Sequence, residues 1–246
     1  MLEACAGREL DPAFRGNSSQ NSIKSHFVVD RKHRILYCAI EKVGSTFWRR
    51  LWQILAGLSS VHSPYDIKPG SALGGGQETF NNLFFDEIHT IISTYRRFII
   101  TRHPFSRLFA GYVDKLFSPN PMFWKGLGAY IVSNFREEKK NKEDISCGSD
   151  VTFREFVKYI IHSETHNTHR DGHFLPMHDH CRPCQVKYDI IGQIETFVDD
   201  TLYIVKSLGF NDLANTLNKT MRISSVTDTI KDQVDILFRF KKTSMY

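Results

Sequence analysis

Lys42, Val43, Gly44, Ser45 and Thr46 are the first residues along the chain whose types and order can do chemistry. Glycine lets backbone come close to a bound group, Ser45 and Thr46 offer hydroxyl donors, and Lys42 brings a mobile cation beside them. Such a set binds an oxyanion. It is not the triphosphate loop GxxxxGK[ST], in which lysine follows the second glycine; here lysine precedes a single glycine. A nucleotide kinase on the same strand, loop and helix plan would use ATP with magnesium, and the lysine order argues against it. A second group, Arg102, Ser106 and Arg107, surrounds Pro104. The third is a histidine-rich segment with His166, His169, His173, His178 and His180, running into Cys181-Arg182-Pro183-Cys184. Imidazole is the side chain whose ordinary pKa suits proton transfer near neutrality. Cys181 and Cys184 with His178 or His180 would also make a tetrahedral zinc set, but a second CxxC or a zinc-finger HxxxH is missing. A local disulfide or two structural thiols is the competing reading.

The first two groups must be held by strand-to-helix turns. FVVD, the basic turn Arg31 to Arg34 and ILYCAI predict strand, turn, strand, the second being a continuous apolar run that suits a buried parallel strand. It runs straight into the loop at 41–46. Phe47, Trp48, Leu51, Trp52, Leu55 and Leu58 then recur at helical spacing, predicting an amphipathic helix that ends near Gly57. A loop between such a strand and helix turns unpaired N–H groups and the positive helix end toward its ligand. Residues 59–82 read as a long loop whose Gly74-Gly75-Gly76 is slack. Arg97 to Thr101 reads as another buried strand, and Pro104 opens a helix through Leu108, Tyr112 and Lys115. Residues 118–150 are mixed and charged, VTFREFVKYII is a short helix, Val186 to Ile191 a strand, and Glu195 to Leu208 a helix closed by Gly209. Alternating strands and helices imply an α/β fold, a P-loop-like, mainly parallel sheet flanked by helices.

Length and composition are compatible with this plan. The 246 residues, 41% hydrophobic and 24% charged, suit one domain, expected over 26–246 behind a flexible lead-in at 1–25. The net charge of +5 favours an anionic small molecule or polysaccharide, and no block of Lys and Arg resembles a nucleic-acid arm, so no nucleic acid is expected. Five cysteines do not make a disulfide scaffold. No stretch approaches the roughly 18–20 apolar residues that span a bilayer, and MLEACAGREL lacks a signal-peptide core, so membrane attachment would need an anchor this chain lacks. Asn17 and Asn218 begin glycosylation sequons.

Three runs carry a family resemblance. YCAIEKVGSTFWRRL resembles the 5'-phosphosulfate loop of the Golgi carbohydrate sulfotransferases, which include the chondroitin, dermatan and N-acetylgalactosamine 4-O-sulfotransferases. ITRHPFSRLFAGYVDKL resembles the 3'-phosphate motif of that family, and HFLPMHDHCRPCQVKYDIIGQIET its stretch from a histidine–aromatic pair through CxPC to YDxIGxxE. The resemblance implies the sulfotransferase fold, 3'-phosphoadenosine 5'-phosphosulfate (PAPS) as donor without a metal, a sugar hydroxyl on a glycosaminoglycan or glycoprotein glycan as acceptor, and the Golgi lumen. It assigns Lys42 to Phe47 to the 5' end and Arg102 to the 3'-phosphate, which Arg107 either shares or leaves to cap the surface. Lys42 would stabilise the leaving oxygen. His173, at the histidine before the aromatic, would be the base, with Glu195 and Glu41 as carboxylate alternatives. Two departures matter. Glu41 stands where the family has proline, placing negative charge beside an anionic donor. Ala110 stands where it has a phosphate-binding serine, a loss of about 0.5–1.5 kcal/mol that Ser106, four residues earlier on the same helical face, would restore. The competing reading is a catalytically weak relative that binds acidic glycans.

Overall fold

The strand, turn and strand expected after residue 26 are β1 (Phe27–Asp30) and β2 (Ile35–Cys38), paired antiparallel from Phe27↔Cys38 to Asp30↔Ile35. The Asp30 carboxylate closes the turn, accepting from the His33 N–H at 3.0 Å, and Arg34 takes the left-handed φ of 55° that returns the chain. In the computed structural model, residue 14 and residues 23–72, 76–137, 148–168 and 170–223 are described. Gly74 and Gly75 therefore lie outside the described residues, as do His169, Asn17 and most of the lead-in and the charged run after Glu137. Phe14 is buried against Phe27 and Phe80.

Three further strands, β3 (Glu78–Thr79), β4 (Arg96–Thr101) and β5 (Ile190–Gln193), complete a five-stranded sheet in the order β3-β1-β2-β4-β5. β2, β4 and β5 run parallel; β1 is antiparallel to both β2 and β3. Every residue from Ile35 to Ile40 is buried, which is why that run does not alternate. Among the described residues the α-helices of five or more residues are α1 (Ser45–Leu55), α2 (Phe85–Thr94), α3 (Pro104–Tyr112), α4 (Ala129–Phe135), α5 (Phe153–Thr165), α6 (Met177–Cys181), α7 (Phe197–Ser207) and α8 (Asn211–Ile223). The sequence reading had no helix in 59–95 or 118–150. α2 forms there because Ile88, Ile91 and Ile92 share one buried stripe, and α4 because Ile131 and Val132 enter a core. The strand expected at 186–191 starts later, because Val186 N–H donates to the Arg182 carbonyl in a turn.

Two compact units result, and each has its own core. The first comprises the described residues through Arg102 and from Pro176 onward; α1, α2, α7 and α8 pack Trp48, Trp52, Ile88, Ile204 and Leu217 with the sheet. The second, His103–Leu175, gathers α3, α4 and α5 around Tyr112, Leu116, Ile131, Phe156 and Phe174. α5 begins with a capping box: Thr152 accepts from the Glu155 N–H, and the Glu155 side chain accepts from the Thr152 N–H at 2.8 Å. Arg136 adds a 2.6 Å bond to the same carboxylate.

Two outcomes are expected. Thr152→Ala loses about 1 kcal/mol of unfolding free energy by denaturant titration. Just before β5, Asp189 accepts from the Arg97 backbone and guanidinium at 2.7–2.9 Å, and these bonds hold its carboxyl below the usual aspartate range. A depressed folded pKa stabilises above the unfolded value and is lost on acidification. Asp189→Asn should thus lower the melting temperature at pH 6, and the difference from wild type should shrink as pH falls below about 4; a pH-independent difference would refute this.

Candidate functional site

The loop between β2 and α1 is held in an unusual backbone path. Lys42 has φ 66° and Gly44 φ 79°, both left-handed. A Cβ on Gly44 would lie 3.0 Å from Phe197 and 3.2 Å from Ile194, so glycine is required both by its dihedral and by packing. Val43 is buried, anchoring the loop, whereas Lys42 and Ser45 are partly exposed and Thr46 is exposed. Phe47 faces inward, its ring 5.0 Å from Phe197 and 5.7 Å from Tyr65, so only its backbone remains suited to a ligand. No side chain caps α1 and its first turn holds no acid, while the first intrahelical bond runs from the Trp48 N–H to the Gly44 carbonyl. The N–H groups of Ser45, Thr46 and Phe47 thus form the positive start of an eleven-residue helix.

Arg102, at the end of β4, is 3% exposed and donates from Nη1 to the Lys42 carbonyl at 3.0 Å. The two strand ends named by the sequence therefore meet, through a contact to the loop's own backbone. Glu41 turns to histidines. Its Oε1 lies 3.2 Å from His26 Nε2, its Oε2 3.9 Å from His180 Nε2, and the two rings are 4.4 Å apart. Burial pushes the Glu41 carboxyl up, but the His26 hydrogen bond, the two imidazoles and its own backbone outweigh that and hold it at about 2.

Cys181 pairs with Cys38, 143 residues away, and Cys184 is also disulfide-bonded. That corrects the local Cys181–Cys184 pair and removes the CxxC zinc set, since disulfide sulfurs are not thiolate ligands. His178 is exposed beside Asp179.

Within the second unit, Arg107 is buried and donates to the Leu175 carbonyl at 2.6 Å and toward that of Gly172 at 3.5 Å. It braces the loop that carries His173. Ser106 and Ala110 are both buried on α3, as their four-residue spacing requires. His173 Nδ1 lies 2.5 Å from Asp171 Oδ1, which also accepts the His173 N–H at 2.9 Å. Asp171 was missed in the sequence reading; the Asp-Gly-His spacing, which lets a carboxylate bond a backbone two residues on, was the available signal. Phe123 stands edge-on to the imidazole at 5.6 Å. Gly111 abuts Phe174, where a Cβ would come within 2.9 Å. His166 is exposed beside its own helix, and Glu195 is exposed in the 3-10 turn Ile194–Thr196.

Parallel strands that end beside an anion-ready helix start make an α/β site suited to an anionic ligand. The chain belongs to the sulfotransferase family, whose description matches residues 25–239. It is 33% identical over 214 residues to carbohydrate sulfotransferase 11 of Rattus norvegicus, covering 85% of this chain and 60% of the relative. Carbohydrate sulfotransferase 8 of Mus musculus is 31% identical over 215 residues, 84% of this chain and 48% of the relative. Carbohydrate sulfotransferase 14 of Danio rerio is 30% identical over 191 residues, 77% and 50%. The chain thus spans about half to three-fifths of these relatives' length. No solved structure matches. Among the described residues no helix is long and apolar enough to cross a membrane.

Gly44→Ala is expected to cost about 1–2 kcal/mol from the left-handed backbone alone, with Phe197 displaced in addition. Thermal unfolding of the variant against wild type measures it, and an unchanged midpoint would contradict the loop geometry.

Proposed function

We propose that the protein transfers a sulfuryl group from PAPS to a sugar hydroxyl of a glycosaminoglycan or glycoprotein glycan, through a sulfotransferase domain over residues 26–246. The observation that carries the proposal is the uncapped start of α1 behind left-handed Lys42 and Gly44, in a chain of the sulfotransferase family. The backbone N–H groups there, with Ser45 and Thr46, would hold the 5'-phosphosulfate, and Lys42 would neutralise charge on the phosphate oxygen as the S–O bond breaks. Arg102 would take the 3'-phosphate alongside its bond to the Lys42 carbonyl, since a guanidinium suits a phosphate by offering parallel donors. Ser106, buried one turn before Ala110, supplies the hydroxyl that Ala110 lacks. Arg107 would serve the same phosphate only alongside its bonds to the Gly172 and Leu175 carbonyls.

His173 is the base in this reading. Asp171 on Nδ1 fixes the ring and leaves Nε2 to take the acceptor's proton as its oxygen attacks sulfur. Glu41 is a poor competitor, because a carboxyl held at about 2 has little proton affinity near neutrality. Transfer itself needs no metal, since lysine and helix start supply the positive charge. The net charge of +5 suits an acidic glycan, and the Cys38–Cys181 disulfide suits an oxidising compartment, for which we propose the Golgi lumen.

Calorimetry with 3'-phosphoadenosine 5'-phosphate tests donor binding, and the absence of binding at millimolar nucleotide would sink the proposal. With labelled PAPS and a panel of desulfated chondroitin, dermatan and simple glycans, Lys42→Met should lower kcat by about 10²–10³-fold. His173→Ala should lower kcat by about 10²–10⁴-fold while nucleotide binding persists. A kinase would instead bind ATP with magnesium in preference to the sulfated nucleotide's product. A glycan-binding relative would bind glycan and turn over none.

A further inference from the structure

The geometry points to a divalent-cation site of zinc type formed by His26, Glu41 and His180, separate from the donor machinery and outside the cysteine pair. These three side chains come from three places in the first unit: the helical turn Ile23–His26, the loop after β2, and α6. One ligand atom from each lies within 4.8 Å of the others. Two imidazole nitrogens and one carboxylate oxygen are donors of the kind that zinc accepts, and three protein ligands leave a fourth position for water.

The distances are compatible with a shared cation as well as with the hydrogen bond between His26 and Glu41. Around zinc with bonds near 2.0–2.2 Å, tetrahedral ligand atoms sit about 3.3 Å apart. His26 Nε2 and Glu41 Oε1 already stand at 3.2 Å, and His180 Nε2 and Glu41 Oε2 at 3.9 Å, too far for a hydrogen bond and close enough to share an ion. A separation as wide as the 4.8 Å bound would shrink by about 1.5 Å to meet that spacing, within reach of small side-chain rotations. His180 is 2% exposed, yet Glu41 and His26 are partly exposed, so an ion has a path in.

Its surroundings are made stiff by the Cys38–Cys181 bond, since Cys181 adjoins His180 and Cys38 lies three residues before Glu41. Bound zinc would add a second cross-link between the same two segments and bring in the chain before β1. Glu41, which reads as an anomaly beside an anion site, becomes a ligand facing away from the donor.

The test uses the untagged full chain with its disulfides intact, stripped by chelator and titrated with zinc against a chromophoric competitor. About one equivalent should bind with a dissociation constant near or below 1 μM, roughly the −8 kcal/mol range, and the melting temperature should rise with zinc. His26→Gln and Glu41→Gln, at the more exposed positions, should each weaken binding at least tenfold and abolish the zinc-dependent rise. Cobalt in place of zinc should give the ligand-field spectrum of a nitrogen and oxygen site without thiolate charge transfer, a readout on wild type that stands even if a variant misfolds. Absence of binding, binding undiminished in the double variant, or a thiolate band would each overturn the proposal. None of these readouts depends on sulfuryl transfer.

Discussion

A guanidinium out of water must spend its donors on protein, and in the first unit that requirement organises the site. Arg102, 3% exposed, answers it at the carbonyl of Lys42. That carbonyl is beyond the β2 ladder, in a turn whose φ of 66° takes it out of strand geometry, and Arg102 supplies it a donor. β2 and β4 are parallel neighbours with Cys38 opposite Ile99, so their carboxyl ends lie side by side. Ligands in open α/β sheets are bound outside those ends. Arg102 thus joins the two turns before any ligand does.

The second unit uses the same device. Arg107, also buried, spends donors on the Leu175 and Gly172 carbonyls that bracket His173 and Phe174, while Gly111 lets Phe174 seat against α3. Asp171 then fixes the imidazole from the other side. A residue chosen as an anion ligand by its type proves also to be a brace for the loop that holds the candidate base. Type and spacing identify a guanidinium near a phosphate turn; they do not say how many of its five donors are committed to backbone.

That difference marks what was legible in the sequence. β2, its loop and α1 were readable because a six-residue apolar run, one glycine and a helical stripe are local patterns, and the β4-to-α3 turn was readable from Arg102 and Pro104. α2 and α4 were overlooked although their isoleucine and valine spacing was present, because flanking Gly, Pro and charged residues suggested loop. The Cys38–Cys181 pair was beyond reach, since 143 residues separate its halves and the adjacent Cys184 offered a nearer partner. Glu41 was visible only as a misplaced charge: its partners lie 15 and 139 residues away, and only the closing of the turn Ile23–His26 and α6 around the loop brings them in.

Charge at that position then bears on the donor loop itself. An ionised Glu41 puts one negative charge next to Lys42, opposing the positive field that the start of α1 presents. Its engagement with two imidazoles offsets part of that opposition, and their protonation would offset more. A divalent cation would go further, turning the local sum from minus one to plus one with both imidazoles neutral, and in a metal site the ion's own charge dominates the field. A departure that by charge alone weakens an anion site can therefore strengthen it, on the condition that the carboxylate is spent as a ligand; the sign of Glu41's influence on the loop is set by what occupies the space between it and the two histidines.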